Sequence, residues 1–231
     1  MEGIETLMRY IYVFPLIGLV LGGIFGFAAF MASQILTANL VAILIIIMIY
    51  ALCGINHIDG LADFGDGIIA HGPVDNKIKA MKDVSLGTGG VVFIIIIILA
   101  YFAIISDMLS WLLPLALIVS EVSAKQSMVA FAAFSKSLQK GFGQIMIEKT
   151  NMREFLIGLI IASLFCSVIL GPLGLVALVS SQVAAFYLVR VANRNFGGST
   201  GDGIGATNEI SRAVALVICM TMVGVVPWTF W

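Results

Sequence analysis

Three aspartates, Asp59, Asp63 and Asp66, follow one another at i, i+4 and i+7, a spacing that on a helix turns all three carboxylates to one face. Left unpaired they repel, so the pattern calls for a cation. Hard oxygen donors suit Mg²⁺ or Mn²⁺, and Mg²⁺ is commonly held by a few carboxylates, several waters and the phosphates of a substrate. Asp83, directly after Lys82, extends the acidic set. His57 stands two residues ahead of Asp59, where an imidazole could act as general base, donate a hydrogen bond to substrate, or cap the preceding helix together with Asn56. Gly60, Gly65 and Gly67 lower helix propensity but let a bulky phosphorylated molecule approach the backbone. The non-catalytic alternative is a solvated acidic face, or carboxylates paired with Lys77, Lys79 and Lys82.

A second candidate stretch reads Asn195-Phe196-Gly197-Gly198-Ser199-Thr200-Gly201-Asp202-Gly203-Ile204-Gly205-Ala206-Thr207-Asn208-Glu209. Backbone N–H groups of a glycine-rich turn can cradle phosphate oxygens, Ser199 and Thr200 can add hydroxyl donors, and Asp202 can join a metal site. A flexible linker is the alternative. It would have no need of the embedded Asp202 and Glu209.

These residues must be positioned by a very apolar scaffold. Of 231 residues, 61% are hydrophobic and only 11% charged, and the mean hydropathy is +1.11, values that require lipid as solvent. A formal net charge of -1 gives no basis for a nucleic-acid partner. Cys53, Cys166 and Cys219 lie singly in apolar runs and read as reduced residues. Apolar segments long enough to cross about 30 Å of hydrocarbon fall near 10–31, 36–55, 90–105, 111–131, 155–170, 173–189 and 213–230, the fifth and sixth divided by Gly171-Pro172. The expectation is an all-α, polytopic transmembrane bundle of about seven spans, one integral membrane domain over residues 1–231. The first segment reads as a retained helix rather than a cleaved signal.

Arg9, Lys77, Lys79, Lys82, Lys136, Lys140, Lys149, Arg153, Arg190, Arg194 and Arg212 all map to one side of that arrangement. Cytoplasmic loops carry the excess of Lys and Arg, so the N-terminus and both motifs are expected to face the cytoplasm of a cell membrane, with Trp228 and Trp231 at the far interface. The loop with Lys136, Lys140, Gly141 and Gly143 is either an anion-attracting surface or a plain topology signal. Lys125 lies inside the fourth span with Glu121 one turn earlier, either as an i,i+4 pair or as a ligand-binding charge.

Taken in order, His57-Ile58-Asp59-Gly60-Leu61-Ala62-Asp63, Asp66-Gly67, Met81-Lys82-Asp83, Gly87, Gly197-Gly198-Ser199-Thr200-Gly201-Asp202, Gly205-Ala206 and Glu209 resemble the cobalamin synthase family, the adenosylcobinamide-GDP ribazoletransferases. The resemblance runs over most of the chain. It implies a Mg²⁺-dependent membrane enzyme that joins adenosylcobinamide-GDP to alpha-ribazole or its 5'-phosphate and releases GMP. His57, Asp59, Asp63, Asp66 and Asp83 would be catalytic, the four aspartates metal ligands, and Lys82, Lys125, Gly197, Gly198, Ser199, Thr200, Gly201, Asp202 and Glu209 substrate-binding. A homo-oligomer or contact with other cobamide-assembly enzymes is compatible with it. This chain differs from the family's usual pattern in carrying Ile55-Asn56 before the histidine, Lys125 in place of an arginine, and Ser211-Arg212 where a second acidic residue is common.

Two other readings compete. Asp63-Phe64-Gly65-Asp66-Gly67-Ile68-Ile69-Ala70 is similar to the first half of the CDP-alcohol phosphotransferase motif, but His71 and the residues beyond it depart from that motif. A divalent-cation transporter would instead place its acids near the bilayer midplane.

Overall fold

The computed structural model describes residues 10–138 and 142–228. Arg9, Lys140, Gly141 and Trp231 lie outside the described residues. A 3-10 turn at Ile11–Val13 leads into α1 (Phe14–Ala32), followed by α2 (Ala38–Cys53), α3 (Asn56–Ile69), α4 (Val74–Met81), α5 (Thr88–Asp107), α6 (Leu112–Ala133), α7 (Phe142–Lys149), α8 (Met152–Phe196) and α9 (Gly201–Met222). Among the described residues there is no strand, only an isolated bridge between Ser137 and Ser199. Runs such as 94–98, all isoleucine, would favour strand in water. In lipid a single segment must satisfy its own backbone, so helix prevails.

Among the described residues, five helical stretches are long and apolar enough to cross a bilayer: Ile11–Ala32, α5, α6, α8 and α9; the pair α2–α3, bent by 93°, is a sixth candidate. The 45 residues of α8 would make a rod of about 67 Å, far longer than a bilayer is thick. It is a hairpin. Leu170 (φ -130°, ψ 22°) and Gly171 (φ 52°, ψ -138°) break it, and Gly171 adopts a left-handed backbone that glycine tolerates without a Cβ clash. Pro172 has no N–H, and the N–H of Leu173, released by the break, donates to the Pro227 carbonyl at 3.1 Å. The rings of Phe155 and Phe186 lie 6.1 Å apart, whereas a straight helix would separate these residues by about 46 Å. The division expected at Gly171-Pro172 is therefore present, and the sequence-based count of about seven treats the two arms as separate spans.

At the centre stands α6, whose spanning window is 89% buried, against 33–39% for the helices of the outer ring, α1, α5 and α8. In α1, Gly18, Gly22 and Gly26 form a stripe of small residues one turn apart. A Cβ at Gly22 would lie 2.6 Å from Ile118 Cα and one at Gly26 2.6 Å from the Pro114 carbonyl oxygen, so the two antiparallel backbones touch. Tight approach of this kind drives helix association in lipid, where apolar side chains gain nothing by leaving the solvent. Gly23, on the same helix, has open space around it.

The segment α3 is a 14-residue amphipathic helix carrying Asp59, Asp63 and Asp66. We read it as lying along the end of the bundle, outside the spanning segments, with the 16-residue α2 as the crossing. Lys79, Lys82, Lys136, Lys149, Arg153, Arg190 and Arg194 are exposed around that same end, while Trp111 and Trp228 stack at 4.9 Å at the other. Arg212 is a correction to the charge map: it is wholly buried within α9.

Replacing Gly22 by Leu should force α1 off α6. A loss of about 1–3 kcal/mol or more is expected as a lower unfolding midpoint in detergent, while Gly23→Leu should leave the midpoint unchanged.

Candidate functional site

Two glycine contacts bring the two motifs together. A Cβ on Gly60 would sit 3.0 Å from Asp202 Cα, and one on Gly205 3.0 Å from the His57 carbonyl oxygen. Backbone of α3 therefore lies on backbone of α9, and Asp202 enters the first turn of α9 beside Asp59 and Asp63. Burial first, and then the neighbouring carboxylates of Asp202, Asp59 and Asp66, push the Asp63 carboxyl up to about 7. Both causes disfavour the carboxylate's own charge, and a cation beside it would relieve both. Asp59 is exposed, Asp63 and Asp202 are half-buried, so the cluster stays open at the rim. Among the described residues no three His, Cys, Asp or Glu side chains already stand in metal-binding geometry. The donor chemistry nonetheless fits a hard divalent cation that keeps part of its water shell.

Asp66 is occupied otherwise. One of its oxygens accepts from the Gly87 N–H and the other from the Gly90 N–H, both at 2.8 Å. It thus satisfies free donors at the start of α5, as a charged cap does. The run Gly87-Thr88-Gly89-Gly90 is glycine-rich because that carboxylate fills the space a Cβ would need, 2.8 Å away at Gly90. Asp83 is not brought to the cluster either. It is exposed, and the Ser85 N–H at 2.9 Å holds its carboxyl below the usual range. Lys82 is exposed beside it, and Lys77 donates to Asn195 at 2.8 Å rather than to an aspartate.

The glycine-rich stretch is not the open loop it was expected to be. Gly201–Glu209 belongs to α9, with Thr200 in extended conformation at its N-cap. Tertiary packing overrides the poor helix propensity of its glycines: Gly203 leaves room for the Phe131 ring and Gly205 for α3. The N–H of Gly197, at φ 78°, donates to Asn193, closing α8, and that of Ser199 donates to the Lys136 carbonyl at 2.8 Å. Ser199 is buried, its hydroxyl on Ser135, Gly198 is buried against Leu138, and Thr200 reaches Asp202 at 3.1 Å. Those groups are spent on structure. The first-turn N–H groups of α9, at Gly201, Asp202 and Gly203, are the part of the motif placed beside the carboxylates, at the positive end of a helix dipole.

Deeper in the bundle lies a network that sequence reasoning reached only in part. Glu121 and Lys125 do pair, at 3.4 Å, but the closer partner of Glu121 is Arg212, whose Nε donates to Oε1. Arg212 Nη1 also donates to Glu209 Oε1 at 2.7 Å and to the Tyr101 hydroxyl at 3.1 Å. Tyr101 and Tyr50 each donate to Glu209 Oε2, at 3.0 and 3.3 Å. Lys125 donates to Asn208 Oδ1 at 2.7 Å, and Asn208 Nδ2 reaches Glu209 Oε1 at 3.0 Å and His57 Nδ1 at 3.2 Å. Two acids and two bases make the cluster neutral. The polar atoms that form these bonds place Glu209 and Lys125 in a structural network, and His57 on the side of α3 away from the aspartates. At about 100° per residue, His57 and the Asp59–Asp63–Asp66 row point in opposite directions.

The fold and site define an all-helical integral membrane protein with an acidic site at one rim of the bundle. This chain belongs to the cobalamin-5-phosphate synthase family, whose model matches residues 2–220. An adenosylcobinamide-GDP ribazoletransferase of Methanosarcina mazei is 38% identical over 236 residues, covering 94% of this chain and 84% of the relative. Those of Methanococcoides burtonii and Pyrococcus abyssi are 36% identical over 228 and 215 residues, covering 94% and 93% of this chain and 84% and 89% of the relatives. No solved structure matches the chain.

Arg212→Ala would leave two buried carboxylates with one ammonium between them. Breaking a buried pair from one side costs about 3–5 kcal/mol, and the variant should unfold in detergent well below the wild-type midpoint.

Proposed function

We propose that this chain is an adenosylcobinamide-GDP ribazoletransferase of the cell membrane, working at the cytoplasmic rim of its bundle. The convergence of Asp59, Asp63 and Asp202, carried by Gly60 lying on Asp202, is the observation that supports it most. Family membership and the names of three close relatives agree with the reading. In the reaction, a ribazole hydroxyl oxygen forms a bond to the phosphorus that carries the cobinamide, the bond from that phosphorus to GMP breaks, and the hydroxyl proton passes to a base.

Asp59, Asp63 and Asp202 would hold Mg²⁺, while Asp83, on the exposed segment after α4, accepts from the Ser85 N–H and stays outside that set. Held by these carboxylates, Mg²⁺ would supply neutralisation of negative charge on the phosphates. The chain's own contribution is positional. The α9 N-terminus directs backbone N–H groups at phosphate oxygens, Asp66 fixes α5 against α3, and the buried network fixes α9. Exposed Lys82, Lys136, Arg190 and Arg194 surround this end with positive charge that attracts an anionic nucleotide.

The test is GMP release by purified protein given adenosylcobinamide-GDP, alpha-ribazole and Mg²⁺. Asp63→Asn and Asp202→Asn should each lower turnover by roughly 10–100-fold or more, and EDTA should abolish it until Mg²⁺ is restored. Full activity in Asp63→Asn would remove the acidic cluster from the mechanism. CMP release from a CDP-alcohol, without GMP release, would assign the chain to lipid headgroup synthesis instead.

A further inference from the structure

One cavity in the bundle has a polar end that the acidic site does not use. It has a volume of about 330 Å³ and lies between α1, α2, α3 and α6. Phe14, Ile17 and Leu21 of α1 and Leu52 of α2 give it apolar walls, and His57 and Lys125 stand at its polar end. Cavities of this size are large enough for a small ligand.

The hydrogen-bonding capacity of that end is settled by its neighbours. Lys125 can only donate, so the Asn208 atom it meets at 2.7 Å is the amide oxygen. The Asn208 nitrogen then faces the Glu209 carboxylate, which only accepts, and His57 Nδ1. With an amide N–H directed at it, Nδ1 must carry a lone pair, and the imidazole proton resides on Nε2. Among the described residues Nε2 has no hydrogen-bond partner, and it is not sealed off from small molecules. Of the three donors of Lys125, two are used, on Asn208 and Glu121. The cavity therefore offers donors and no matching acceptor.

We propose that this cavity binds an apolar molecule through a single hydrogen-bond acceptor atom, received by the His57 Nε2–H with the Lys125 ammonium behind it. His57 is then a donor to a ligand and not a general base. Asn208 is its positioning residue, held in turn by Lys125 and Glu209. Two molecules supply this chemistry: the heteroaromatic base of a ribazole, which rests on the function proposed above, and a phospholipid ester carbonyl, which does not. A ring nitrogen or a carbonyl oxygen accepts equally well.

The experiment uses full-length protein labelled with ¹³C,¹⁵N-histidine and carrying His71→Gln, since His57 and His71 are the two histidines of the chain. Carbon–nitrogen correlation spectra at neutral pH should show the neutral Nε2–H form. A change at Nε2 on adding benzimidazole, unaffected by lipid, identifies the ring as ligand; a change between phospholipid nanodiscs and lipid-free detergent, with none from benzimidazole, identifies lipid. An Nδ1–H or doubly protonated ring, or an Nε2 indifferent to both, overturns the proposal.

Turnover gives an independent reading. His57→Gln keeps an N–H donor but cannot act as a base, so it should retain activity roughly tenfold above His57→Leu, about the worth of one hydrogen bond. Equal loss in folded Gln and Leu variants would overturn the donor role. If wild-type protein released no GMP, the proposed function would fail, while the spectra would still decide the cavity.

Discussion

Four buried charges, Glu121, Lys125, Glu209 and Arg212, form the interaction on which the arrangement of this bundle depends. Each alone would be prohibitive in a bilayer, and two of each sign are tolerable only in contact. That requirement fixes α6 and α9 side by side in a single register. Tyr101 of α5 and Tyr50 of α2 donate to Glu209, and Asn208 reaches His57 of α3, so the same cluster ties α2, α3 and α5 to α6 and α9. Gln182 on Ser127 and Ser181 on the Ser211 carbonyl tie the second arm of α8 to α6 and α9.

From this anchor the acidic site is reached by short steps along α9. Asn208 meets His57, Gly205 meets the backbone of α3 one turn outward, and Asp202 meets Gly60 near the rim. The two backbone contacts are close because a glycine is present at each. The glycines that look like a phosphate loop are in large part spacers that let helices touch, and the same logic governs Gly18, Gly22 and Gly26 against α6. Lipid offers no hydrophobic reward for packing, so backbone proximity and buried polar bonds do the assembling. Burial first, and then the crowding of the other carboxylates, disfavours charge on Asp63, which gives a divalent cation a physical reason to bind.

The site divides α3 into two working faces. One row presents Asp59 and Asp63 to Asp202 at the rim, with Asp66 turned to the start of α5. The opposite side sends His57 into the bundle toward Asn208. A helix so short can serve both because its ends are held independently, by Asn208 and Gly205 at one and by α5 and the Phe196 ring, 5.5 Å from Phe64, at the other.

Much of this was legible in the residues alone. Hydropathy and the limits on unpaired backbone in lipid dictate an all-helical membrane protein, Gly171-Pro172 marks the hairpin, and the i, i+4, i+7 spacing puts three aspartates on one face. These are local properties, set by period and by single-residue chemistry. The partner of each polar group was not local. Asp66 looked equivalent to Asp59 and Asp63, but α5 takes both of its oxygens. His57 looked like a neighbour of the aspartates, although helical rotation points it away, and Arg212 resembled a topology charge, although two acids enclose it. Glu209, Ser199 and Gly205 likewise have roles set by what lies across a helix interface. The Gly18-Gly22-Gly26 stripe shows its role only against α6, the helix it packs on. Spacing along a chain determines which side chains share a face; only the tertiary structure decides what that face meets, because hydrogen bonds and ion pairs are short-ranged and their partners here are up to 159 positions away.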